Sequence, residues 1–222
     1  MDRKDFSIDE ALRFGWNTMK DNFWFFVGVV VVAGVIVLIP QGIASALEES
    51  SRGLSFLFRV IQWIAEIIIG IGLITISLKF LDGQKPEFKD LFAFQQHFIN
   101  YLGGAILTAL AVVGGFILLI IPGIYWAIKF QFFGYSVVDQ GSDPILAMRR
   151  SARIAKTVKW KLFGFGLLCF CINILGFICL IVGLFATIPT TMLAYAYVYR
   201  KLLGQTESAQ TEPVPVVEAP AK

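Results

Sequence analysis

Two stretches of this sequence, Leu91–Ile128 and Leu162–Tyr199, each run 38 residues without a formally charged side chain. A third, Asn22–Leu47, is also free of charge. One helix of 38 residues would be about 57 Å long, far beyond the ~30 Å hydrocarbon core of a bilayer. Each long run must therefore turn back on itself. Pro122-Gly123 splits the first into spans 101–121 and 124–138, and Gly183 splits the second into spans 162–182 and 184–201. Residues 23–46 make one more span. Residues 56–78, interrupted by Arg59 and Glu66, make another. The count is six. Composition agrees: 57% of the residues are hydrophobic and 16% charged, against about 45–50% and 25% in soluble domains. Helices apolar all round are core or membrane elements, and this chain has too few polar helices to cover six of them. The expected fold is all-α, an integral membrane bundle of six transmembrane helices, with a disordered cytoplasmic tail over 204–222, rich in Pro, Glu, Gln and Thr.

Charge gives the orientation. Sixteen of the 19 Lys and Arg residues fall on the segments that six spans place together: the N-terminal stretch, the 79–89 connection, the 149–161 connection and the C-terminal end. Arg52 and Arg59 fall on the other side, and Lys129 falls inside a span. The excess predicts both termini in the cytoplasm. The start, Met1-Asp2-Arg3-Lys4-Asp5, lacks the apolar region of a cleavable signal.

The three cytoplasmic segments share one pattern, an amphipathic helix feeding a pair of spans. Ser7 and Glu10 form a capping box. The second segment begins near Lys85-Pro86-Glu87, and the third at Asp143-Pro144, an N-cap followed by proline at the first helical position. A shift of 136 residues lays Ala11, Lys20, Trp24 and Gly28 on Ala147, Lys156, Trp160 and Gly164. The chain is read as three parallel repeats. Trp24, Trp160, Tyr195 and Tyr199 are the expected interface anchors, and Arg200 and Lys201 are expected to snorkel.

Charges inside spans cost at least ~2.5 kcal/mol each at the bilayer centre and mark candidate sites. Glu66 is paired with Lys129, with Arg59 as the rival partner. Gln62, Gln131 and Asn173 extend a polar seam. Arg149, Arg150, Arg153 and Lys156 form the basic face of an interfacial helix opposite Ile145, Met148, Ala152, Ala155 and Val158, suited to anionic headgroups on the cytoplasmic leaflet. No phosphate loop, zinc set or catalytic constellation appears. The single His97 and the three cysteines Cys169, Cys171 and Cys179 do not make a metal site. No cofactor, metal, nucleic acid or enzymatic activity is expected.

Ile121-Pro122-Gly123-Ile124-Tyr125, Lys129, Val137-Val138-Asp139, the run from Asp143-Pro144-Ile145 to Arg149-Arg150-Ser151, and Trp160-Lys161-Leu162-Phe163-Gly164 carry a resemblance over about residues 100–202. The sequence resembles bacterial multipass proteins related to the membrane domain that precedes the catalytic domain in some glycerophosphoryl diester phosphodiesterases. The resemblance implies a six-span bundle with a cation where Lys129 stands and a connection with lipid. It does not imply diesterase activity, because no such catalytic domain follows. The expected role is lipid-associated membrane homeostasis or scaffolding, with membrane lipids as partners. The alternative is a small-solute or ion transporter using the Glu66–Lys129 pair.

Overall fold

The computed structural model of the protein describes residues 4–179 and 183–211, and these are all-helical apart from short connections. The helices are α1 (Ile8–Asp21), α2 (Phe23–Ala46), α3 (Arg52–Leu81), a 3-10 turn η1 (Phe88–Phe92), α4 (Phe98–Leu118), α5 (Ile120–Phe130), α6 (Phe133–Gln140), α7 (Pro144–Ala155), α8 (Lys159–Ile178) and α9 (Leu184–Thr211). Four of them, α2, α3, α4 and α8, are long and apolar enough to cross a membrane.

The fourth expected span, 124–138, is not one helix. The chain turns at Leu119, which is extended at φ −167°, so that Pro122 lies in the first turn of α5, where its missing N–H is no loss. After Phe130 the helix breaks. The buried Ser151 hydroxyl of α7 takes up the freed backbone groups: it accepts from Phe132 N at 3.1 Å and donates to Lys129 O at 3.0 Å. Two backbone groups freed by the break are thereby satisfied. At 11 residues α5 is about 16 Å long, too short to cross by itself.

α9 is the axis of the bundle. Leu193, Ala194, Ala196, Val198, Tyr199 and Leu202 on it are buried. One core gathers Phe132, Tyr135, Ile154, Leu162 and Phe165 against α9. The other gathers Met19, Phe26, Val29, Ile69, Ile76 and Leu91. α1 crosses α9 with almost no gap: a Cβ on Gly15 would lie 2.2 Å from the Thr190 carbonyl oxygen. η1 is set against α3 in the same way, with Gly72 facing Leu91 O. α9 also runs ten residues beyond its expected end, to Thr211, so residues 204–211 are helical rather than tail. The remainder of the expected disordered tail lies outside the described residues.

The three segments expected to repeat are built differently. α1 begins at Ser7, whose hydroxyl accepts from Glu10 N at 3.2 Å, but the Glu10 carboxylate goes to Lys201 and Tyr197 instead of back to the cap. Asp143 and Pro144 open α7 as expected, without a side-chain cap bond. The middle segment is reduced from a helix to the five residues of η1, fixed by Glu87 and Asp90.

Candidate functional site

The expected polar seam is dispersed. Glu66 is exposed on α3 and accepts from Gln62 Nε2 at 2.9 Å. Arg59 pairs with Glu48 at 3.0 Å. The Lys129 ammonium lies 5.1 Å from the Phe130 ring centroid, and among the described residues no ion pair joins it to Glu66. The reason is the packing: α5, which carries Lys129, lies against α4, α7 and α8, while Glu66 is exposed on α3. Asn173 serves another contact, donating to Cys169 O at 3.0 Å and Thr191 Oγ1 at 3.2 Å across the α8–α9 interface.

The basic face of α7 survives in part. Arg149, Arg153 and Lys156 are exposed. Arg150 turns inward to Gln140 and to Ser142 Oγ at 2.7 Å, closing the turn in which Gly141 has φ +59°. Of the expected apolar face Ala155 and Val158 are buried; the rest of the buried face is Ala147, Ser151 and Ile154, which sets Ser151 against the α5–α6 break. Ile145 is exposed. Trp24 and Trp160 are 81% and 86% exposed. Tyr195 is half-buried, edge-on to Phe165 at 4.8 Å. Tyr199 is not an anchor at all: it is fully buried, stacks on Tyr135 at 5.2 Å and donates to Asp139 Oδ2 at 3.1 Å. Arg200 does not snorkel but joins Asp82 and Asp139, each at 2.8 Å.

That arginine lines a polar cavity of about 570 Å³ with Lys79, Asp82, Asp90, His97 and Asp139. Lys79 Nζ is 2.7 Å from Asp90 Oδ1, and Asp90 Oδ2 accepts from Glu87 N at 2.8 Å. Burial pushes the Asp90 carboxyl up, but the Glu87 N–H and the Lys79 ammonium outweigh it and hold the group below the usual carboxylate range. His97 Nδ1 and Arg200 Nε are buried without a hydrogen-bond partner. Cavity charges are therefore largely paired, with two polar atoms left over. Sequence spacing carried no signal for this cluster, since Arg200 lies 118 residues from Asp82 and 61 from Asp139.

The second concave site is apolar. Between α5 and α8 lies a groove of about 500 Å³ lined by Ile121, Ile124, Tyr125, Ile128, Lys159, Trp160 and Phe163. It adjoins a hollow of about 370 Å³ that shares Ile124, Ile128 and Phe163 and reaches Phe116, Gln131, Leu167 and Phe170. Gln131 Nε2 is buried there without a partner. At one end the Lys159 ammonium touches the Tyr125 hydroxyl and lies 4.2 Å from the centre of that ring. The groove brings the first turns of α5 beside the first turn of α8, positions that the six-span layout assigns to opposite faces.

Relatives share this chain at low identity. An uncharacterized protein of Mycobacterium bovis is 23% identical over 243 aligned residues, covering 97% of this chain and 74% of the relative. An uncharacterized protein of Mycobacterium tuberculosis is 22% identical over the same shares. No solved structure matches. Residues 91–220, more than half of the chain, match the model of a domain of unknown function, DUF7847, and the chain belongs to that family.

Proposed function

We propose that the protein is a non-enzymatic multipass protein of the bacterial inner membrane that associates with lipid, in membrane homeostasis or as a scaffold. The observation that carries this reading is the α5–α8 groove, an apolar concavity with a cation at its end. The exposed basic residues of α7 support it, since they suit an anionic leaflet. In this reading both termini and the polar cavity face the cytoplasm. The 16 Lys and Arg residues on that side favour it, as do the contacts between segments assigned there: Asp5 with Gln205 and Lys161, and Glu10 with Lys201. Six crossings would require α5 and α6 together to complete the fourth, and the placing of the first turns of α5 beside the first turn of α8 speaks against that. The resemblance to membrane domains of glycerophosphoryl diester phosphodiesterases belongs to the same reading, without their activity.

Mass spectrometry of lipids retained by the detergent-extracted protein tests it. Retained lipid that falls when Ile124→Trp fills the groove supports the reading. Retention unchanged by that substitution overturns the role of the groove. A second reading, solute transport, is favoured by the polar cavity. Thr75→Cys, placed in that cavity, should react with a water-soluble thiol reagent from the cytoplasmic side only; reaction from both sides would favour transport.

A further inference from the structure

We propose that the α5–α8 groove holds an acyl chain of an anionic phospholipid whose phosphate is bound by Lys159. This rests on the lipid-associated reading above and adds the class of lipid and the residue that selects it. The cavity volume falls within the range of about 300–1,000 Å³ usual for ligand sites. Its walls are isoleucine and aromatic side chains, with Lys159 the one charged residue among them. The adjoining hollow continues the apolar wall along α8 to Leu167 and Phe170, which gives a chain room to extend away from the charged end.

The charge at that end lacks a counterion. Lys161, two residues along α8, is paired with Asp5, whereas Lys159 meets the Tyr125 hydroxyl. Among the described residues no carboxylate lies within salt-bridge distance of Lys159 or of Lys129, which is within electrostatic reach of the Tyr125 hydroxyl. Lys159 also opens α8, whose N-cap, Val158, provides no side-chain hydrogen bond. The unsatisfied N–H groups of a first turn favour an anion. Trp160 beside it is exposed, as a headgroup-level indole should be. An ammonium, a phenol, an uncapped helix start and an apolar slot together match a phosphate joined to a hydrocarbon chain. A free phosphate would leave the slot unfilled, and a neutral lipid would leave the cation without its counterion.

The test uses the full chain in mild detergent, with phosphatidylglycerol and phosphatidylcholine of identical acyl chains, and native mass spectrometry to count lipid retained. The parent protein should prefer phosphatidylglycerol by about fivefold, and Lys159→Gln should bring the two lipids close to parity. Ile124→Trp should lower retention of both. If Ile124→Trp does not fold, Ile121→Trp, at a position 80% exposed, narrows the same groove. A ratio that Lys159→Gln leaves unchanged overturns the proposal, as does an equal loss of preference in Lys156→Gln, which would assign selectivity to the exposed face of α7. Loss of both lipids on filling the groove, with no headgroup preference in the parent, overturns the proposal but leaves the lipid-associated reading standing. Full retention of both lipids by a folded groove-filled variant overturns that reading as well.

Discussion

Arg200 places Nη1 2.8 Å from a carboxylate oxygen of Asp139, tying the central helix α9 to the short helix α6. The same carboxylate accepts from the buried Tyr199 hydroxyl. Asp139→Ala removes the acceptor of both groups at once. It should lower stability by about 2–3 kcal/mol, read as the thermal unfolding midpoint in detergent. Asp82→Ala should cost less than about 1 kcal/mol, because the Asp82 side chain is 41% exposed and exposed pairs are weak. Equal losses would show that Arg200 relies on both carboxylates alike.

Glu66 and Lys129 should behave as independent residues. Single changes to Leu and the double change form a thermodynamic cycle, and residues without a shared partner add to within about 0.5 kcal/mol. A coupling above about 1 kcal/mol would mean that the two meet in the membrane after all.

The crossing of α1 over α9 depends on hydrogen at one Cα. Gly15→Ala forces a carbon onto the Thr190 carbonyl, and overpacking of this kind costs about 1–3 kcal/mol or more. Gly34→Ala on α2 meets nothing within 4 Å and should leave the unfolding midpoint nearly unchanged. A similar midpoint for both variants would refute the tight crossing.

Asp90 should make stability pH-dependent on the acid side. Its carboxyl is held below the ordinary aspartate value of about 3.9. The stabilisation is therefore complete above about pH 4 and is lost as pH falls through the lower folded value. Asp90→Asn should cost about 1.5–3 kcal/mol at pH 7, since the Asp90 side chain is only 7% exposed. The gap between variant and parent should close under acid conditions. A constant gap down to pH 2 would assign the loss to shape instead of charge.

What the sequence made legible were elements that depend on local composition. α2 occupies Phe23–Ala46 as its charge-free run requires, and Asp143-Pro144 opens α7 at the expected residue. What stayed hidden depends on distant partners. The break after Phe130 is stabilised by a serine 19 residues away, and no local breaker residue stands there. Arg200 looked like a membrane-surface arginine because its two aspartates are remote in sequence. The groove was invisible for a related reason: its lining comes from one face of α5 and one of α8, each indistinguishable by composition from a face turned toward lipid.

The pairing of Asp5 with Gln205 spans 200 residues, and it sets a timetable for biogenesis. At about 5–20 residues per second on the ribosome, α1 emerges roughly 10–40 s before the segment of α9 that covers it. During that interval Ala11, Gly15 and Met19 have no α9 to bury them. The face of α1 that the finished protein hides is thus among the last to be covered, because the helix that covers it is made about 175 residues later.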